Sequence, residues 1–282
     1  MRKIFFILPI LFILTVSYSP DYVPTPEEVD HFYKTKTLVV LDDNPIAEYN
    51  LVIQDFMKKE WKLTTYDFIK YSKFDSVRND PQYSFLMLNQ VRFDKDKSLA
   101  KYNFLSLMLG SPKKLVSDMP DLCPVPLSYA GVDDDNYNYK IQTILRFIQN
   151  HVEIIHKDPK IIGTNMFKYY NDNAGDVKNK TLYLIKSEMA KECNTEEKIK
   201  KVYPYKFKLV TREEVAKAID ESNPDVVFLH KVGPEGTRLV ARCYKILIGA
   251  ADSKFYYFDY HKISDDKPDG FLASDFKKLA KK

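Results

Sequence analysis

Glycine is scarce in this chain, which has only 8 glycines among 282 residues. They never form the GxGxxG or P-loop patterns, in which backbone amides cradle phosphate groups. The densest cluster, Gly233-Pro234-Glu235-Gly236, joins two predicted strands and therefore predicts a hairpin turn. The GxSxG and HExxH patterns are absent too, so the sequence carries no common signature of a serine hydrolase or a zinc protease.

Cysteine is also rare, and its three positions are Cys123, Cys193 and Cys243. An odd number leaves at least one thiol unpaired, and only Cys193 and Cys243 share the second half of the chain. The first half has no cysteines at matching positions, so we expect a fold that does not need a disulfide. No CxxC motif occurs, and the Cys and His spacing fits no zinc site.

Histidines and acidic residues give only weak site candidates. His151 and His156 are five residues apart, so they do not share a helical face as paired metal ligands would. His230 ends a predicted strand and is a minor candidate for function. The clusters Asp133-Asp134-Asp135 and Asp265-Asp266 precede the last helix of each half, and they lack the alternating ligand pattern of a calcium loop. We expect them to cap those helices, and the sequence assigns no catalytic, cofactor-binding or metal-ligating residue.

Net charge and long apolar runs are limited as well. The formal charge is +4, too small a surplus to indicate binding to nucleic acid or to an anionic membrane. One apolar run, at residues 4–16, follows the basic Arg2 and Lys3 and is too short for a comfortable membrane span. It predicts a signal peptide over residues 1–17, with an uncleaved anchor as the alternative. We expect an exported protein, periplasmic or secreted, without a membrane span in the mature chain.

The chain does contain a long internal repeat. Three apolar blocks recur in the same order at offsets of 139 to 144 residues: 34–41 with 178–185, 83–88 with 225–230, and 104–110 with 243–249. A repeat of this length indicates a duplicated domain rather than a solenoid unit.

Hydrophobic periodicity predicts the same element order, βαβαβββα, in both halves. In the first half, for example, an apolar strand precedes Asn44-Pro45, which we expect to cap and start a helix. In the second half, Thr211 and Glu214 have capping-box spacing. The predicted class is therefore α/β (α+β), with two tandem domains that each pack helices on a mixed sheet. The predicted limits are a lead-in at 18–33, domains at 34–157 and 176–282, and a linker at 158–175.

The element order resembles the small α/β domains of the TolB amino-terminal type. In addition, residues 61–69 and 84–88 resemble segments of exported Bacteroidetes proteins to which no activity is assigned. The first resemblance implies a non-catalytic module of envelope assemblies, and the second implies only export. Fold analogy does not transfer an activity.

Aromatic residues are abundant, with 20 Tyr and 18 Phe. Because many fall at strand positions, we expect them to pack in the core, with a carbohydrate-stacking platform as the alternative. We also expect Trp61, between a helix and a strand, to be buried.

Together these patterns favour a non-enzymatic interaction or scaffold protein of the cell envelope that has a protein partner and no cofactor. The alternative is a protein that binds a small ligand or glycan in a cleft between the lobes. A hydrolase with paired carboxylates is a weaker third hypothesis. A scaffold predicts a junction packed by residues 150–176, through Ile154, Ile155, Ile161, Ile162 and Phe167. A binding protein predicts a cleft that closes around a hinge.

Overall fold

The structure is a computed structural model that describes residues 16–17, 22–235 and 240–282. It contains two mixed sheets with helices packed on them, which confirms the predicted α/β class and element order. The first half contains β2 (Lys36–Leu41), α2 (Glu48–Glu60), β3 (Tyr66–Lys70), α3 (Tyr71–Val77), β4 (Tyr83–Arg92), β5 (Tyr102–Leu109), β6 (Val125–Tyr129) and α4 (Ile141–Lys157). The second half contains β7 (Thr181–Leu184), α6 (Glu196–Lys200), β8 (Phe207–Leu209), α7 (Arg212–Asp220), β9 (Val226–Val232), β10 (Arg242–Gly249), β11 (Phe255–Lys262) and α8 (Ala273–Lys281).

The two sheets have the same strand order. The first runs β3-β2-β4-β5-β6 and the second runs β8-β7-β9-β10-β11. In each, the first three strands are parallel and the last two are added antiparallel. The strands that hold Leu38 and Leu182 therefore occupy equivalent places, as a duplicated domain requires. The limits 34–157 and 176–282 stay predictions.

The predicted signal peptide lies outside the described residues except for a two-residue strand. This strand, β1 (Val16–Ser17), pairs in parallel with Val91 and Arg92. Across the described part of the chain, no helix is both long enough and apolar enough to span a membrane.

The helix start predicted at Asn44-Pro45 is wrong, because α2 begins three residues later, at Glu48. The buried amide of Asn50 accepts a hydrogen bond from Asp42 N and donates to the carbonyls of Asp42 and Asn44. This side chain stabilises residues 42–47 as a turn, so α2 begins only after that turn.

Two helices lie in segments predicted as lead-in and linker. In α1 (Pro26–Phe32), Thr25 and Glu28 form a capping box, and Val29 and Phe32 are buried in the core. In the linker, α5 (Met166–Asn171) packs along the outer edge of β11. The amide of Asn171 donates to Phe258 O and accepts from Phe258 N, which occupies the outward backbone groups of this one residue of the edge strand.

The most consequential element is α4, which lies between the two sheets. Inner-face residues of the first sheet, such as Leu86, and of the second, such as Phe228, join α4 in one hydrophobic core. Phe147 of α4 stacks on Phe255 of β11, with ring centroids 3.4 Å apart. The outer face of the first sheet is covered by α3 and that of the second by α6 and α8. The two sheets therefore share a central helix layer.

Candidate functional site: the junction between the sheets

The crevice at the carboxyl edge of the second sheet is the first place to look for a site. From β7 the chain passes to β8 on one side and then to β9 on the other side. Open α/β sheets bind ligands in the crevice at such a switch point, outside the carboxyl ends of the strands. Glu188 follows β7 here, and His230 lies near the end of β9.

A lysine from the first half fills this crevice. Lys140 lies directly before α4, and its Nζ is 2.7 Å from Glu188 Oε1. The side chains are 1% and 11% exposed. Burial alone lowers the pKa of Lys140, but the attraction and hydrogen bond of Glu188 outweigh it and raise the pKa above its ordinary value. The result is a charged pair that joins the two halves at the position where a ligand would bind.

His230 makes a second contact across the junction. It is 1% exposed, and its Nε2 is 3.0 Å from the carbonyl oxygen of Pro126 in β6. Because a carbonyl only accepts, Nε2 carries the proton. Burial, and then the positive charge of Lys140, lower the pKa of His230 to about 3. At neutral pH the ring is uncharged, which suits a structural contact and not acid–base chemistry.

Arg242 forms a third contact between the two halves, beside the end of β4 and the start of β5. Its Nε is 2.5 Å from Asp96 Oδ2, and its guanidinium carbon is 3.6 Å from the ring centroid of Phe93. Its backbone N–H donates to the hydroxyl of Tyr102. Burial opposes the charge on Arg242, but the Asp96 carboxylate raises its pKa, so this pair is ionised as well.

The acidic clusters do not cap the last helices, so that prediction is wrong. Asp133 accepts from Asp135 N and starts only a short 3₁₀ turn, whereas α4 has no side-chain cap. At α8 the backbone N–H of Leu272 donates to Asp275, which lies inside the helix. Further turns separate each cluster from its helix. Within the described residues, no three His, Cys, Asp or Glu side chains converge as they would around a metal ion.

The cysteines lie in the core as free thiols, and Cys193 and Cys243 form no disulfide. The sulfur of Cys193 is 3.2 Å from Phe271 O, and Cys243 Sγ accepts from Gly270 N. Burial raises the pKa of Cys193 to about 12, so the reactive thiolate is not formed near neutral pH.

The residues expected to pack the junction do so only in part. Ile155 is fully in the core, and Ile161 and Ile162 are half-buried against it. Ile154 is half-buried, while Phe167 is exposed. The junction is packed chiefly by α4 and not by the linker. A groove of about 550 Å³ remains at its rim, between α4, α5 and the β10–β11 turn.

Sequence reasoning missed Lys140 and Glu188. They are 48 residues apart and belong to no motif. The only available signal was the position of a lysine directly before a long amphipathic helix. Gly236 of the predicted hairpin turn lies outside the described residues, and Gly233, Pro234 and Glu235 follow β9 as expected.

Comparison of the chain with protein-family models, with curated proteins and with solved structures gives no significant match.

Proposed function

We propose that this chain is an exported, non-enzymatic interaction or scaffold protein of the cell envelope, with a protein as its partner. The observation that carries the proposal is the burial of α4 between the two sheets. A scaffold benefits from lobes that keep one relative orientation, because partner surfaces on both lobes then stay in register.

The energetic cost of opening the junction supports this role. Separating α4 from the second sheet would expose Phe147 and Phe255, at roughly 1.5–3 kcal/mol each. It would also separate Lys140 from Glu188, but both ions would then regain water, so this separation adds little to the cost. The apolar terms alone, roughly 3–6 kcal/mol, are a large share of the stability of a typical domain, about 5–15 kcal/mol.

The alternative is a protein that holds a small ligand or glycan in the cleft between its lobes. Such proteins close by hinge motion around the ligand, and the hinge residues absorb the change. Here the same movement would have to break the shared core. We therefore rank this role in the inter-lobe cleft below the scaffold.

Two measurements test the proposal. Hydrogen exchange of the α4 amides should occur only through global unfolding and should not change with a library of metabolites and glycans. Small-angle scattering should give one radius of gyration throughout. A compaction or a gain of α4 protection specific to one compound class would overturn the scaffold role.

Export and partnership are tested in the native host. The mature protein should begin near Tyr18 and appear in an extracytoplasmic fraction. Cross-linking there should join it to a specific protein. An intact peptide from Met1 in that fraction would support an anchor, and a purely cytoplasmic protein would refute the envelope role.

A further inference from the structure

Two aromatic rings are exposed side by side at the outer edge of the second sheet. Phe167 of α5 and Tyr260 of β11 are each 37% exposed, and their ring centroids are 6.2 Å apart. Phe258 packs against Phe167, and their ring centroids are 4.5 Å apart. Most aromatic side chains in the described residues are buried or half-buried, so this neighbouring exposed pair is unusual on the surface.

The two rings line a groove of about 650 Å³ between α5, the edge of β11 and the end of α8. Small-molecule sites typically have volumes of roughly 300–1,000 Å³ and combine apolar or aromatic walls with a few polar groups. The volume of this groove is therefore large enough for a few sugar rings. Its walls are regular secondary-structure elements.

The rim of the groove is positively charged. Lys168, Lys278, Lys281 and Lys282 line it, against two aspartates, Asp172 and Asp259. Lys278 is paired with Asp259 at 2.6 Å, and Asp172 pairs with both Lys168, at 3.2 Å, and Lys282, at 3.9 Å. Lys281 makes no ion pair with any described residue, so its charge is available to an anion.

The hydrogen bonds of the edge strand argue against an extended peptide in this groove. A peptide that adds a strand needs free backbone N–H and C=O groups along the edge. The N–H and C=O of Phe258 are already bonded to Asn171, and the N–H of Tyr260 donates to Asp259 Oδ1. The open features of the groove are the exposed faces of Phe167 and Tyr260 and the ammonium group of Lys281.

We propose that this groove binds an oligosaccharide that carries carboxylate groups. The apolar C–H face of a sugar ring stacks on Phe167 and Tyr260, and a carboxylate of a neighbouring sugar pairs with Lys281. Aromatic rings suit such amphipathic ligands, and the ammonium acts as a point charge for the carboxylate. This ligand goes beyond the scaffold role and does not depend on the identity of a protein partner.

Isothermal titration calorimetry with a tetramer of galacturonic acid tests the proposal. The neutral tetramer maltotetraose and a tetraglutamate peptide serve as comparison ligands. We expect that only the acidic sugar binds, and that its affinity falls as the salt concentration is raised to about 0.15 M. Phe167→Ala and Tyr260→Ala should each lower the affinity at least about tenfold. Lys281→Gln should lower it and flatten the salt dependence.

The controls separate binding from folding. Tyr71→Ala removes another exposed aromatic ring, 42% exposed and in the first half, and should leave the affinity unchanged. Phe167→Tyr keeps an aromatic ring and should retain binding. Circular dichroism melts identify any variant that has lost its fold. The proposal is overturned if the acidic sugar does not bind, if either comparison ligand binds equally well, or if folded Phe167→Ala and Tyr260→Ala bind like the wild type.

Discussion

Replacing Lys140 with Met should destabilise the whole protein. Met has a similar length and fills the same space without a charge, so the substitution chiefly removes the partner of Glu188. The Glu188 carboxylate would then stay buried without its cation. Its Oε2 has no hydrogen-bond partner among the described residues even in the wild type. The pair also joins the two halves, so its loss weakens their contact.

The magnitude follows from burial. Removing one member of a buried ion pair costs about 3–5 kcal/mol, because the remaining charge is left uncompensated in a poorly solvated site. That is a large share of a typical stability of about 5–15 kcal/mol. Replacing both members with apolar side chains is often neutral or stabilising, so Lys140→Met with Glu188→Leu should recover most of the loss.

Urea unfolding followed by two signals measures the effect. Trp61 is the only tryptophan, so its fluorescence reports on the first half, while far-ultraviolet circular dichroism reports on both. Because α4 belongs to the core of both sheets, the two transitions should coincide. Lys59→Met is the matched control: its ion pair with Asp55 is 58% and 55% exposed, and exposed pairs contribute about 0.2–1 kcal/mol.

Three results would refute this reasoning. Lys140→Met could cost no more than Lys59→Met, which would mean that water reaches the pair. The double variant could be less stable than the single variant, which would exclude a stranded charge as the cause. Alternatively, fluorescence and dichroism could report separate transitions, which would mean that the halves unfold independently.

Three further outcomes follow from buried side chains. Trp61 is 7% exposed and donates to Thr64, so Trp61→Ala should cost about 3–5 kcal/mol in a urea melt; a wild-type midpoint would contradict its core role. The pKa of His230 is lowered from 6.5 to about 3 in the folded protein. Below pH 6.5 the unfolded chain is therefore protonated at this residue while the folded chain is not. The contribution of the neutral ring to stability is complete above pH 6.5 and is lost as the pH falls toward 3. Between pH 7 and pH 4.5 the stability of the wild type relative to His230→Asn should therefore fall by roughly 2–3 kcal/mol, whereas a constant difference would show that the ring titrates normally. Ellman's reagent should leave Cys123, Cys193 and Cys243 unmodified in the native state and react with all three in urea; a rapid native reaction would show an accessible thiol.

Much of the fold could be predicted from local patterns. The apolar run around Leu38 and its counterpart around Leu182 indicate equivalent strands, and the structure places both second from the parallel edge of their sheets. The Thr211 and Glu214 spacing correctly predicts the start of α7, because a capping box satisfies backbone donors within four residues. The same spacing at Thr25 and Glu28 carries an equal signal for α1, inside the segment predicted as a lead-in.

The parts that sequence reasoning missed depend on contacts between distant residues. Asn44-Pro45 has the composition of a helix start, but the amide of Asn50 folds back over it. Lys140 and Glu188 have no local signature, because an ion pair constrains distance in space and not spacing along the chain. The internal repeat does not reveal them either. It relates the two sheets to each other, whereas α4 packs against both sheets at once.

The position of α4 also sets a waiting time during synthesis. The first sheet and α4 are complete once residue 157 has been made, but Phe255, on which Phe147 stacks, lies 98 residues beyond that point (255 − 157). At about 5–20 residues per second, the second apolar face of α4 stays uncovered for roughly 5–20 s. A chaperone that shields apolar helix faces therefore has a defined substrate in the nascent chain, and a fragment ending at residue 157 would expose that face permanently and aggregate.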